Sequence, residues 1–296
     1  IYDLAYAYDK IDDYENSIYY YHKYIDEEPF SDSAWYNLGT IYNKLDMYEQ
    51  AMEAYDYALA INSQNTFAIF NKGNILYNLD RYEEAISVYH EYLENEPDSF
   101  EAMTYLGECY EKTGLSDLSR KYYHDAIEIA PEFADPWFGL GVIEFNNGNI
   151  NDSLIYFRKA VKLDDENPEF WYLLGKAHYA KSERKAAVRC FSEALKLDAY
   201  YTEVWADLGL ILIKENYAVK SLFYLEKALK VIGDVPGINY LLSALYLNSG
   251  RNEEAGQQLA IALETDESIY NDFRHLFPPD KFTKKIKSLL KKSGLL

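Results

Sequence analysis

Residues 32–65 read DSAWYNLGTIYNKLDMYEQAMEAYDYALAINSQN, and this stretch decides the fold. Trp35, Leu38, Gly39 and Tyr42 are spaced three, one and three apart, which sets them on one face of a helix. Ala51, Tyr55 and Ala58, spaced four and three, do the same for a second helix. A break over residues 44–48 separates the two, so the stretch predicts an antiparallel helical hairpin. The small residues let the backbones approach, and the large ring beside them fills the space towards the next hairpin. One hairpin cannot bury its apolar face; a stack can.

The stack is written in the rest of the chain. Small residues recur every 34 positions as Ala5, Gly39, Gly73, Gly107, Gly141, Gly175, Gly209 and Ser243. In the same register run Ser17, Ala51, Ala85, Ser119, Ser153, Ala187, Ser221 and Ala255, and the large residues Tyr21, Tyr55, Tyr89, Tyr123, Phe157, Phe191, Leu225 and Leu259. A fourth series is Tyr24, Ala58, Tyr92, Ala126, Ala160, Ala194, Ala228 and Ala262, and all four tryptophans (Trp35, Trp137, Trp171, Trp205) share one phase. Several independent series in one unslipped register specify the period strongly.

Composition agrees. The 296 residues are 49% hydrophobic and 26% charged, which excludes wholesale disorder. Two cysteines cannot frame a disulfide scaffold, and no stretch approaches the roughly 18 apolar residues of a membrane span. Thirty-one Tyr against 14 Gly and 8 Pro suit aromatic helical packing better than a turn-rich sandwich. Net charge is −20, with seven Lys/Arg against two Asp/Glu in residues 270–296, so that the tail is +5 and the body −25. An acidic body repels phosphate backbones, so no nucleic acid is expected as partner.

Trp-x2-Leu-Gly-x2-Tyr followed by Ala, an aromatic, Ala and Pro, at a period of 34, resembles the tetratricopeptide repeat (TPR) family. The resemblance covers residues 1 to 269: a partial unit 1–31 and full units 32–65, 66–99, 100–133, 134–167, 168–201, 202–235 and 236–269. It implies an all-α fold, a right-handed α-solenoid of stacked helix-turn-helix hairpins. Tyr24 and Tyr92 stand where the family prefers Ala, Lys72 where it prefers Leu, and Glu144 and His178 where it prefers Tyr; local packing should adjust there.

Beyond the last unit, residues 270–296 are expected as basic C-terminal capping helices. Tyr270 to Phe277 reads as a short helix, Pro278-Pro279 as its stop, and Asp280 to Lys292 as a second helix. Phe282, Ile286, Leu289 and Leu290 make its stripe, with Lys281, Lys284, Lys285, Lys287, Lys291 and Lys292 around them. A cap over the final hairpin is the favoured reading; a helix for a membrane surface, a partner or a second copy of the chain fits the same pattern.

Catalytic chemistry is scarce. His22, His90 and His124 share a phase on successive second helices, too far apart for one zinc, and read as solvated surface groups. Cys109 and Cys190, far apart in the register, read as inert thiols. Gly139-Leu140-Gly141 lies inside a helix and lacks the third glycine of a dinucleotide loop. No catalytic residue, metal site or cofactor is expected, and the chain is read as not an enzyme.

By the resemblance, the second, fifth, ninth and twelfth residues of each unit line an inner groove. That lining holds Tyr36, Phe70, Asn74, Tyr77, Phe138, Phe145, Tyr172, Lys176 and Tyr179. Such rings either anchor a peptide or pack on one another between units. Asn37 and Asn71 resemble the start of the asparagine ladder with which some family members hold a peptide backbone; Tyr105, Gly139 and Leu173 break it. Glu101, Asp135, Glu169 and Glu203 recur at the second position as an acidic rim that would steer a basic segment, or as ordinary helix-start acidity. The Lys/Arg clamp of the chaperone-tail-binding members is absent, since Tyr36, Phe70, Thr104 and Phe138 occupy those sites. The expectation is a non-enzymatic interaction scaffold for a basic or aromatic protein segment, in the cytoplasm. The alternative is the regulatory or substrate-recruiting arm of a larger enzyme.

Overall fold

The computed structural model describes residues 1–215, 217–266, 268, 270–277 and 279–295. Among them there are eighteen α-helices and no strand: α1 Tyr2–Lys10, α2 Tyr14–Glu27, α3 Asp32–Lys44, α4 Tyr48–Ile61, α5 Thr66–Asn78, α6 Tyr82–Asn95, α7 Phe100–Lys112, α8 Ser116–Ile129, α9 Ala134–Asn146, α10 Ile150–Leu163, α11 Pro168–Ala180, α12 Arg184–Leu197, α13 Thr202–Lys214, α14 Ala218–Ile232, α15 Pro236–Asn248, α16 Asn252–Thr265, α17 Tyr270–Phe273 and α18 Lys284–Lys292. No described helix is long and apolar enough to cross a membrane. The chain divides into two compact units, Ile1–Ile143 and Glu144–Leu296. Within each, successive helices pair, first helix on second and second on the following first.

Each hairpin closes where its small residues cross. A Cβ added at Gly39 would lie 2.7 Å from Tyr55 Cε1, at Gly73 2.7 Å from Tyr89 Cε1, and at Gly175 2.6 Å from Phe191 Cε1. Real Cβ atoms do not approach that closely, so glycine here is a packing requirement. At three of the five serines in the small pairs the hydroxyl spans the crossing: Ser17 Oγ donates to the Ala5 carbonyl (2.7 Å), Ser221 Oγ to Gly209 (2.9 Å) and Ser243 Oγ to Ala255 (2.7 Å), whereas Ser153 Oγ donates to Ile150 of its own helix (3.0 Å). Tyr123 does more, since its ring blocks a Cβ at Gly107 on its own hairpin and at Gly139 on the following first helix. One ring thus closes a hairpin and joins it to the next.

The tryptophan series has a backbone purpose. The indole Nε1 donates six residues back to the preceding loop in all four cases: Trp35 to Pro29 (3.1 Å), Trp137 to Pro131 (3.1 Å), Trp171 to Asp165 (2.9 Å) and Trp205 to Ala199 (2.9 Å). First helices start on polar caps, Ser31, Asn65, Ser99 and Asn167, each accepting a backbone N–H of the first turn. They end in a residue with left-handed backbone at the 34-residue spacing: Asp12, Asp46, Asp80, Gly114, Gly148, Ser182 and Gly250.

The departures from the family pattern are accommodated locally. Lys72 Nζ pairs with Asp56 (2.5 Å), Asn149 donates to buried Glu144 (2.7 Å), and buried His178 Nδ1 lies 2.6 Å from Glu183. Tyr24 and Tyr92 pack edgewise or tilted on Tyr2 and Phe70. His22 and His124 are exposed. His90 is not simply a solvated group: it is half-buried, its Nε2 is 2.9 Å from the Tyr110 hydroxyl and its ring lies against Tyr122. Cys109 and Cys190 are buried free thiols, and burial pushes them up to about 12 and about 11.

At the C-terminal end α17 continues as a 3-10 turn, Arg274–Leu276, and Pro278 lies outside the described residues. The last helix begins at Lys284 and not at Asp280, because Thr283 supplies its N-cap to Ile286 N. Its Ile286 and Leu290 are fully buried in one cluster with Leu245, Leu259 and Phe277, and α18 packs on α16. Lys281 Nζ reaches Asn248 Oδ1 and its carbonyl at 3.1 and 3.2 Å, tying the tail to the end of α15. The stripe therefore covers the last hairpin of its own chain.

Two substitutions separate these backbone requirements. Gly73→Ala should lower unfolding free energy by about 1 to 3 kcal/mol, as overpacking does, because the Tyr89 ring has to move. Ser182→Gly should raise it by about 1 kcal/mol, by relieving a left-handed L-residue. Urea denaturation followed by far-ultraviolet dichroism measures both; an unchanged midpoint for Gly73→Ala contradicts the close crossing.

Candidate functional site

Along the first-helix face the fifth residue of one helix meets the sixth of the next. Asn37 Nδ2 donates to the Tyr2 hydroxyl (2.7 Å), Asn71 Nδ2 to the hydroxyls of Tyr36 and Tyr55 (3.4 Å each), and the Tyr172 hydroxyl to Asp207 Oδ2 (2.9 Å). Phe70 meets Tyr105 edge-on at 5.9 Å. The side-chain NH2 groups of Asn37 and Asn71, expected to hold a peptide backbone, are thus engaged by tyrosines of the stack itself. The ladder breaks for the same reason: the sixth position lies against the ring of the preceding hairpin, where Tyr105 stacks on Tyr89 (5.4 Å, 5°) and Gly139 leaves room for Tyr123.

Several expected anchors are consequently packing residues. Tyr172 is only 8% exposed, held between Phe191 and Tyr201 with Lys176 Nζ 5.3 Å over its ring. Phe70 is half-buried among Tyr89, Tyr92 and Tyr105. Tyr36 leans on Tyr55 and on Phe67, a ring 71% exposed.

Within Ile1–Ile143 the positions that remain open are the second, ninth and twelfth. Asn74 Oδ1 accepts the Tyr89 hydroxyl (2.7 Å). Half-buried Tyr77 sits edge-on to Tyr82 and Tyr105, and burial followed by the nearby Glu108 carboxylate holds its hydroxyl well above the ordinary tyrosine value. Burial pushes the Glu108 carboxyl up to about 6; the nearby Tyr77 hydroxyl opposes this, and Asp135 and Glu111 add to it. Glu111 accepts the Tyr123 hydroxyl at 3.4 Å, and exposed Glu101 accepts Ser99 Oγ at 3.3 Å. Asp135 and Phe138 are half-buried on α9. This unit holds 28 Asp/Glu against eight Lys/Arg and 21 of the tyrosines, so it carries net −20.

The second unit differs. Residues 144–296 hold 21 Asp/Glu and 21 Lys/Arg, net zero. Phe145 packs on Phe157 at 6.4 Å, and Lys214 Nζ lies 5.9 Å over the half-buried Tyr179 ring. Glu169 and Glu203 are exposed and flank Tyr201, whose hydroxyl burial and then these two charges push up to about 12. The four-carboxylate rim therefore divides: Glu101 and Asp135 belong to a strongly acidic unit, Glu169 and Glu203 to a neutral one whose rings already carry lysines.

Models of the tetratricopeptide repeat match residues 1–31, 33–65, 70–132, 114–168 and 138–202. The chain is a member of the TPR family. No curated protein sequence matches it. Among solved structures it is similar to the APC/C hetero-tetramer Cut9–Hcn1, with a TM-score of 0.64 and 17% identity over 78% of this chain and 46% of that one. It thus spans about half of that chain's length. The type IV pilus biogenesis factor PilW superposes with a TM-score of 0.60 and 23% identity, over 71% of this TPR chain and 96% of its own. Pseudomonas aeruginosa PilF gives 0.59 and 16% identity, over 77% and 97%. At these identities the likeness is one of fold.

Phe67, Glu108, Glu111 and Asp207 belong to this face and were not singled out by the sequence, and Tyr105, read there only as a break in the ladder, packs on it. Glu108 and Glu111 occupy the same ninth and twelfth positions as Asn74 and Tyr77, so reading the groove pattern through unit 100–133 finds them.

A half-buried carboxyl above its ordinary value destabilises the fold once ionised. Its unfolded pKa lies near 4.5 and its folded value near 6, so its stability contribution is complete below the first and lost as pH rises through the second. Glu108→Gln should therefore raise the thermal midpoint at pH above 6 by at least about 2 °C, with the gain vanishing at pH below 4.5. Melting curves across pH read this; a gain that persists at acid pH contradicts it.

Proposed function

We propose that the chain is a non-catalytic protein-interaction scaffold whose first-helix face in residues 1–143 receives a partner segment bearing lysine or arginine. The observation that carries the reading is Glu108: a carboxylate half-buried against Tyr77, with Asp135 and Glu111 adding repulsion, in a unit of net −20. An incoming ammonium or guanidinium relieves that repulsion, lies on the faces of Tyr77 and Tyr105, and forms a charge-assisted bond. Phe67 adds an exposed ring for an apolar neighbour on the same segment. The wider acidic field raises the encounter rate and rejects acidic segments.

A phage-displayed library of random dodecapeptides, panned on the full chain, should enrich Lys/Arg-containing sequences with an apolar residue nearby. Glu108→Gln and Phe67→Ala should each weaken the best peptide by about tenfold. The association rate should fall as salt is added, and affinity should rise with pH through about 6 as Glu108 ionises. Enrichment of acidic peptides, or affinity indifferent to both substitutions, overturns the reading.

A further inference from the structure

The outward side of the second helices obeys a rule of its own. At the second residue of these helices the repeats carry Glu49, Glu83, Asp117, Asn151, Lys185 and Glu253, but Val219 in α14. One turn on they carry Tyr19, Glu53, Ser87, Lys121, Ile155, Arg189, Phe223 and Gln257, so that only α14 is apolar at both positions. Val219 is 84% and Phe223 64% exposed. Beside them a cleft of 510 Å³ opens between α12, the end of α13 and the start of α14, within the range of ligand-binding clefts.

Its floor is apolar, Val188, Ile211, Leu212 and Tyr224, and Tyr217 and Phe223 form its wall. Its rim is cationic. Arg184, Lys185 and Lys220 line it, and its one acid, Glu215, is already held by Arg184 Nε at 2.5 Å. Exposed Arg189 stands a turn beyond Lys185. Neither the hairpin crossings nor the first-helix face uses any of these outward side chains.

We infer that this cleft is a second docking surface, taking an acidic amphipathic helix of a partner protein. Leucine- or phenylalanine-sized side chains one turn apart enter beside Phe223, and flanking carboxylates meet Lys185 and Lys220. The selectivity is the reverse of that proposed for residues 1–143, so the two surfaces take different segments.

A fluorescein-labelled helical peptide with leucines along one face and glutamates elsewhere is titrated against the full chain by anisotropy, alongside a twin with every glutamate replaced by lysine. The glutamate peptide should bind saturably and at least about tenfold more tightly than its twin. Phe223→Asp, and separately the pair Lys185→Glu and Lys220→Glu, should each weaken it by about tenfold or more, with helical dichroism and melting unchanged; Glu108→Gln should leave it as it is. No saturable binding, equal binding of the twin, or indifference to both cleft variants overturns the inference. So does sedimentation showing that the chain self-associates through this patch, with Phe223→Asp abolishing the dimer.

Discussion

The contact on which the rest depends is the large side chain pressed against a small residue inside each hairpin, in most of them a ring against a glycine. A helix pair with Gly73 against Tyr89, or Gly107 against Tyr123, can only approach because no Cβ intervenes. The ring is then fixed in orientation, and its far edge becomes the surface on which the next first helix must fit. Tyr123 against both Gly107 and Gly139, and Tyr89 stacked on Tyr105, show the two duties in one side chain. A period held by such rings resists slipping, since a shift of one residue would set a Cβ against the ring wherever a glycine now meets it, as at Gly39, Gly73, Gly107 and Gly175.

That constraint decides what is left for a ligand. The fifth and sixth positions of the first helices are drawn into the stack by Asn71 with Tyr36, Phe70 with Tyr105 and Tyr172 with Asp207. The second, ninth and twelfth positions are left to vary in composition, and they do: carboxylates and tyrosines in residues 1–143, lysines over rings in residues 144–296. The repeat supplies one scaffold and the free positions supply different chemistries along it.

The series of Gly, Ala, Tyr and Trp were legible because each is a side-chain property repeated in phase. Helix starts followed directly from them. The left-handed series Asp12, Asp46, Asp80, Gly114, Gly148 and Ser182 was overlooked because its members share a backbone state and not a side-chain class. The burial of Tyr172 was hidden for another reason. Helical spacing gives the face of a residue but not the depth of its neighbour, and depth separates a peptide anchor from a spacer. Glu108 was missed because a glutamate on a helix ordinarily faces water; its pKa is raised first by burial and then by Asp135 on α9 and Glu111 on its own helix.

A half-buried carboxylate is a cost that a single compact core of this size would resist. A stack distributes stability over many similar interfaces, so one strained position weakens its own neighbourhood without unravelling the register. Glu108 sits in α7, flanked by two hairpins of the acidic unit whose crossings are otherwise complete. An exposed Phe223 is tolerated on the same grounds, since outward positions of second helices take no part in closing a hairpin. Repeat architecture thus separates the residues that hold the chain together from those that depart from its rules, and the departures mark where partners are to be sought.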